Sequence, residues 1–563
     1  MKNISYILLI MVCVTAACKK DIEQEPKELL TEDLIFDPVD RSGTYAEQFL
    51  NGIYSSLPTG FNRVGGNFLD ASTDDAISSQ DGTSIENLSK GRVSASSHPD
   101  DAWAKNYTGI RKANLFLSKV DRTGNAAEVR SFWKAEARFL RAMFYFELLK
   151  RYGGVPLVGD TVFNYTDDLR YERNTFAECV DYIVQECDAI KDLVRPDPLS
   201  TNDWGRASKG IVMTLKARVL LYAASPLFNG GVVTTDPQRA ALQGYPSYDA
   251  NRWDAAAKAC KDVIDLNIYG LESNYLNIFT TRRSTAAKPE VILAFLRNST
   301  TDVERNNGPI GFANQANGEG RTSPTQELVD AFPMKDGTPI AEAADYDPGN
   351  PYVNRDPRLG HTVLYNGVKW LNRPLETFDG GLDKPDRNVI QTKTSYYLRK
   401  FMGNFTSATQ YANTSHNFII FRYADVVLGY AEALNEFAGP SDEVYQQLKD
   451  IRKRGGITAG ADNMYGLEEN MSKEDMREAV RGERRRELAF EEHRYWDLRR
   501  WKTAEQELNK DLTGMKITAL DGGGFSYERV TAGKVMFAPH MYLYPIPFSE
   551  ISKNANLLQN SGW

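Results

Sequence analysis

The chain has 563 residues, more than one compact core usually fills, so two or more domains or one elongated array is expected. Hydrophobic residues make up 42% and charged residues 25%, and 67 Lys plus Arg against 75 Asp plus Glu leaves a net charge of −8. This mildly acidic balance lacks the basic footprint of a nucleic-acid or anionic-lipid surface, and the composition excludes a disordered chain, a collagen-like repeat, a polytopic membrane protein and a disulfide scaffold.

At the N-terminus, Lys2 precedes a short apolar run from Ile4 to Val14. The run is far shorter than the roughly 20 residues that cross a bilayer, so residues 1–17 read as a cleaved export signal. Thr15, Ala16 and Ala17 lead directly into Cys18, which resembles a bacterial lipobox and makes Cys18 the expected lipidation site. Two or more acyl chains at that cysteine give firm anchoring without a span. Residues 18–40 are expected to be the lipid-anchored tether, with Lys19 to Thr31 polar and suited to flexibility. Of the later cysteines, Cys179 and Cys187 lie eight apart on one predicted helix, roughly 12 Å along its axis and too far for a disulfide. With Cys260 they are expected to be buried thiols.

Helical periodicity marks residues 44–57, 101–120, 126–151, 175–194, 206–224 and 252–267. In the third of these, Trp133, Ala137, Leu140, Phe144 and Leu148 recur at steps of three and four and share one face. Residues 275–420 differ: Gly, Pro and Asn clusters alternate with short β-branched or aromatic runs such as Val291 to Leu296 and Asn417 to Tyr423, which predicts short strands and long loops. Helix returns at 424–437, 441–454 and 473–502, and the tail 503–563 reads as mostly irregular with a strand near Lys534 to Ala538. The chain thus divides into 1–17, 18–40, a helical region 41–274, a variable loop-rich region 275–420 and a C-terminal helical region with tail 421–563. Small residues recur in Leu215 to Leu220, Lys134 to Leu140 and Tyr430 to Leu434, the packing logic of tetratricopeptide hairpins, though with no fixed 34-residue period. Pairing in order gives 44–57 with 101–120, 126–151 with 175–194, 206–224 with 252–267, and 424–437 with 441–454.

The sequence offers no catalytic constellation. His98, His361, His416, His493 and His540 are scattered without metal-binding spacing, so no metal and no cofactor are expected. Gly205 to Gly210 lacks the terminal Gly-Lys-Ser/Thr of a phosphate loop and reads as a helix start with Ser208 near the cap. Asp74 and Asp75 read as loop carboxylates. Between Arg481 and Lys502, Arg and Glu interleave with Leu488, Phe490, Trp496, Leu498 and Trp501, which predicts a packed scaffold helix with internally paired charges and no nucleic-acid face.

Residues 481–501 (RGERRRELAFEEHRYWDLRRW) resemble the signature of the SusD/RagB family of nutrient-binding outer-membrane lipoproteins. Further matches run in the family's order: Cys18, Trp103 to Asn114, Arg138 to Leu157, Gly205 to Leu221, Glu327 to Gly337, Arg422 to Asn435 and Tyr542 to Trp563. The resemblance implies a mainly α fold, four tetratricopeptide-like hairpins plus a loop-rich region with short strands. It implies a non-enzymatic protein, lipid-anchored in the outer membrane and facing the cell exterior, which binds oligosaccharides or polysaccharides and delivers them to a SusC-like TonB-dependent transporter. A peptide-binding protein of RagB type is the alternative, and a surface glycoside hydrolase the third reading.

Sugar rings stack their C–H faces on aromatic side chains and pair their hydroxyls with planar polar groups. Trp103, Trp204, Trp253, Trp496 and Trp501 belong to helices or helix starts and read as structural. The ligand-contact candidates lie in loops outside the motifs: Trp370 foremost, with Tyr365 and Phe378; Phe312, Asn314, Gln315, Asn317 and Arg321; and Asp81 and Asn87 before Trp103.

Overall fold

The computed structural model describes residues 32–563 apart from 165, 313–315 and 387–389. The export signal, Cys18, the tether up to residue 31, Asn314 and Gln315 lie outside the described residues.

Among the described residues, six helices of more than ten residues build the N-terminal half: α1 (Thr44–Tyr54), α2 (Trp103–Lys119), α3 (Ala127–Tyr152), α4 (Phe176–Ile190), α5 (Lys209–Ala224) and α6 (Asn251–Asp265). Their positions agree with the periodicity to within about a turn. Thr175 starts α4 with a capping box, its hydroxyl accepting from the Glu178 amide while the Glu178 carboxylate takes the Thr175 amide. Helix α3 is buried nearly all round, because α1, α2, α4 and α5 all pack on it. The expected face of Trp133, Ala137, Leu140, Phe144 and Leu148 is therefore joined by Phe139, Met143, Tyr145 and Phe146. Such side chains contribute about 1.5–3 kcal/mol each when buried. Helices α2 and α3 meet at Gly109, where a β-carbon would lie 2.6 Å from the Phe144 ring. Cys179, Cys187 and Cys260 are buried free thiols, and burial pushes Cys179 up to about 12.

The middle of the chain holds short strands: β1 (Val291–Phe295), the two-residue β2 (Lys369–Trp370) and β3 (Arg373–Pro374), and β4 (Phe418–Arg422). Strands β1 and β4 pair antiparallel with Phe418 opposite Phe295, while β2 and β3 form a tight hairpin with Trp370 opposite Arg373. Helices α7 (Tyr423–Ala438), α8 (Asp442–Gly455), α9 (Lys473–Glu487) and α10 (His493–Arg500) follow. Val427, Leu428, Leu448, Ile451, Met476 and Val480 form a small core between α7, α8 and α9, separate from the main one.

Two expectations are corrected. The helix predicted over 473–502 breaks at residues 488–492, where Phe490 and Glu492 take left-handed backbone at φ 60° and 63°. Tertiary contacts impose the break: the Phe490 amide donates to Asp70 at 3.2 Å, and Glu492 takes a two-pronged bond from Arg63 at 2.6 and 2.9 Å. The tail is not irregular. It carries the longest strands of the described chain, β5 (Asp511–Ala519) and β6 (Phe525–Lys534), paired antiparallel from Asp511 with Lys534 to Ala519 with Phe525. Residues 535–538, expected as a strand, follow the end of β6 without regular structure.

Charges between Arg481 and Lys502 pair inward as expected. Glu487 and Glu491 face Arg422 at the end of β4, which also bonds Glu290 beside β1, and all four side chains are buried. Asp74 and Asp75 lie in a loop, as expected, and are buried as well. Arg494 donates to Asp74 at 2.7 and 2.9 Å and Arg485 to Asp75 at 2.7 Å, so the N-terminal segment is pinned to the C-terminal signature.

Candidate functional site

The β2–β3 hairpin holds Trp370 against the segment 397–411. Trp370 is only 6% exposed: its indole N–H donates to the Tyr411 hydroxyl at 3.4 Å, Phe405 meets it edge-on at 6.3 Å, and the Arg399 guanidinium lies 5.0 Å from its ring. Trp370 is thus a supporting wall, and the ring turned partly to solvent in this cleft is Phe405. Arg399 is held by the Met402 carbonyl at 2.6 Å and by Asn404 at 2.8 Å. Among the described residues it has no carboxylate at ion-pair distance, and burial lowers its pKa to about 10. The cleft has a volume of about 360 Å³ and is lined by Lys369, Trp370, Arg399, Asn404, Phe405 and Ser407 among others. No Asp, Glu, His or Cys appears in its described lining. Such a surface can stack an apolar ring face and donate hydrogen bonds; it has no pair of carboxylates to act as acid and nucleophile.

A second aromatic surface lies where the loop after β3 meets the β5–β6 hairpin. Tyr365 stacks on Tyr352 with ring centroids 4.2 Å apart at 23°, and Tyr527 meets Tyr352 edge-on at 5.9 Å. Phe378 packs on Phe525 at 5.4 Å. Phe525 and Tyr527 alternate along β6 and so project from one face. All five rings keep part of their surface exposed. The Tyr352 hydroxyl donates to Tyr396 at 3.1 Å, which passes its own proton to Gln326 at 2.6 Å, fixing the stack from below.

The other expected contacts are not brought together with these. Phe312 is 6% exposed beneath Arg373, whose guanidinium sits 4.1 Å from the ring and bonds Asp383 at 2.7 and 3.0 Å, so Phe312 is a packing residue. Arg321 is taken by Glu319 and by the Gly65 carbonyl. Asp81 is an exposed partner of Lys393 at 2.5 Å, and Asn317 is exposed. Asn87 lines a separate cleft of about 520 Å³ with His98 and Phe548. The sequence reading missed Tyr352, Phe405, Tyr411, Arg399, Phe525 and Tyr527. The last two carried a usable signal, an alternating aromatic pair directly after the turn run Asp521 to Gly524.

Residues 289–563 match the family described as the SusD family, and residues 30–221 match that described as starch-binding, associating with outer membrane. The chain belongs to the SusD family. Among SusD-family relatives it is 23% identical to SusD-like protein P25 of Formosa agariphila over 99% of this chain and 97% of the other. It is 25% identical to the starch-binding protein SusD of Bacteroides thetaiotaomicron over 81% of this chain and 76% of that one. The solved structure of a SusD-like protein from Bacteroides fragilis superposes with a TM-score of 0.77 at 26% identity, covering 95% of this chain and 99% of the other. Among the described residues of this SusD-family chain, no helix is long and apolar enough to cross a membrane.

Proposed function

We propose that this SusD-family protein captures oligosaccharides or polysaccharides at the cell surface without cleaving them and hands them to a SusC-like TonB-dependent transporter. Cys18 carries the lipid that holds it on the outer membrane, facing outward. The observation that supports this reading most is the Phe405 cleft, with the tyrosine stack as a second surface: aromatic faces beside planar donors and no carboxylates lining the cleft, on the fold of a family that includes a starch-binding member. Tyr365, Phe378 and Phe405 are the stacking rings, with Trp370 as the wall behind Phe405 and Arg399 as the hydroxyl donor. Segment 275–420 supplies most of the contacts and β6 the remainder. Affinity electrophoresis against a polysaccharide panel, paired with a reducing-sugar assay, tests this. Retention by at least one polysaccharide, weakened by Phe405→Ala, with no reducing ends released, is the expected result. Released sugar would overturn the non-catalytic reading, and retention by peptides alone would move the ligand class to RagB-type cargo.

A further inference from the structure

A cavity far from these aromatic surfaces in sequence opens beside the start of α5. It has a volume of about 150 Å³ and lies between the turn before α5, the segment after α6 and strand β1. Its apolar wall includes Trp204, Ile211, Ile268, Ile278 and Ile419. Trp204, expected as structural, differs from the other helix-start tryptophan: Trp253 is 3% exposed, while Trp204 keeps part of its surface in solvent and makes no hydrogen bond or ring contact among the described residues.

The polar groups at this cavity fall into two sets. Deep in the wall, Asp197 accepts from the Gly210 amide at 2.8 Å and faces the Tyr269 hydroxyl, and the buried Ser208 Oγ has no hydrogen bond of good geometry. At the mouth, Arg282 and Arg283 have no carboxylate at ion-pair distance among the described residues, and the Asn277 side chain is exposed and unbonded. Glu272 accepts from Ser284 at 3.1 Å and keeps lone pairs free. Glu290 also lines the cavity but is already taken by Arg422, Arg454 and the Glu272 amide at 2.7, 2.6 and 2.7 Å.

We propose that this cavity is a second sugar subsite that takes one neutral pyranose ring, a chain end or a branch, with Trp204 under its C–H face, Arg283 and Asn277 donating to its hydroxyls and Glu272 accepting from them. The assignment rests on the glycan-capture reading. The volume is half the lower end of the range for drug-sized ligands, so it admits a single ring. The mouth carries charges of both signs, Arg282 and Arg283 beside Glu272, so it offers donors and an acceptor to a neutral polyhydroxyl guest. An apolar peptide side chain would leave the buried Ser208 hydroxyl without a partner, at a cost of about 1–3 kcal/mol, and would offer nothing to the polar groups at the mouth.

The test is saturation-transfer NMR and calorimetry on the whole chain in a detergent without a sugar headgroup, titrated with the methyl glycosides of glucose, galactose, mannose, xylose and N-acetylglucosamine. At least one glycoside should bind, and Trp204→Ala and Arg283→Ser should each weaken it by about tenfold. Silence from every glycoside, equal binding to the Trp204→Ala and Arg283→Ser proteins, or displacement by N-acetyltyrosinamide would each overturn the proposal. If polysaccharide is still retained while every glycoside is silent, the cavity assignment fails and capture at the Phe405 cleft stands. Glycoside binding through Trp204 without polysaccharide retention upholds the cavity and removes the cleft.

Discussion

Arg422 is 1% exposed and its guanidinium bonds Glu290, Glu487 and Glu491 at 2.7 to 2.8 Å. Arg422→Met removes the one cation shared by all three carboxylates; Lys400 and Arg454 remain but each reaches only part of the set. The expected loss is about 3–5 kcal/mol, read from denaturant unfolding. Acid should act on this molecule in two stages. Burial lowers His98 and His493 from 6.5 to about 4, so the unfolded chain takes up protons before the folded one does, and stability falls as pH drops from about 6.5 to about 4. Glu147 and Asp497 are held near 2 by neighbouring Lys and Arg side chains despite burial, so their contribution is intact above the unfolded carboxylate range and is lost from about 4.5 down to about 2. The melting temperature against pH should therefore start to decline near pH 6.5, and His493→Gln should flatten that first decline while leaving the second. Interleaved Arg and Glu with large apolar residues made a charge-paired scaffold readable from the sequence, but the partners of Asp74 and Asp75 lie more than 400 residues away and leave no local trace.

Elements with strong periodicity were legible, because a helix that packs on a core must repeat its apolar residues every three or four positions. Helix α3 shows this, and so does its tight approach to α2. Gly109→Ala places a methyl against the Phe144 ring and should cost about 1–3 kcal/mol; Phe144→Leu in the same chain should recover part of that loss, giving a non-additive double-mutant cycle by thermal unfolding. Less legible were elements set by distant partners. The break at Leu488 to Glu492 answers Asp70 and Arg63, which a window of neighbouring residues does not contain. The β5–β6 hairpin had a local signal in its Asp-Gly turn, and Gly523 and Gly524 do adopt φ of 88° and 85° there, but its strands alternate weakly because β6 is exposed along most of its length. The site suffered for the same reason. Tyr365 and Phe378 stand out within their own loop, whereas Phe525 and Tyr527 join the aromatic cluster only once β6 lies alongside.

For the whole molecule, the proposed capture role predicts that the two aromatic surfaces act as parts of one receptor for a chain-like ligand. A ligand long enough to reach both should lose affinity when either Phe405 or Tyr527 is replaced by Ala, while a short oligosaccharide should respond to one of the two only; calorimetry with a length series checks this. Because the cleft has no carboxylates and the tyrosine stack presents rings, affinity for a neutral glycan should be nearly constant between low and physiological salt, where an ion-paired complex would weaken. The contacts that close the fold also run from one end of the chain to the other. Arg63 meets Glu492, Arg494 meets Asp74, Tyr544 donates to Asp100 at 2.7 Å and Lys90 to the Lys534 carbonyl at 2.9 Å, separations of 420 to 444 residues. Loops of that size close slowly, and the buried carboxylates Asp74 and Asp75 stay uncompensated until Arg485 and Arg494 arrive. A growing polypeptide therefore cannot settle its first hundred residues until its last hundred have been made, so the molecule matures as a unit after synthesis and any prematurely ended copy is left open at its beginning.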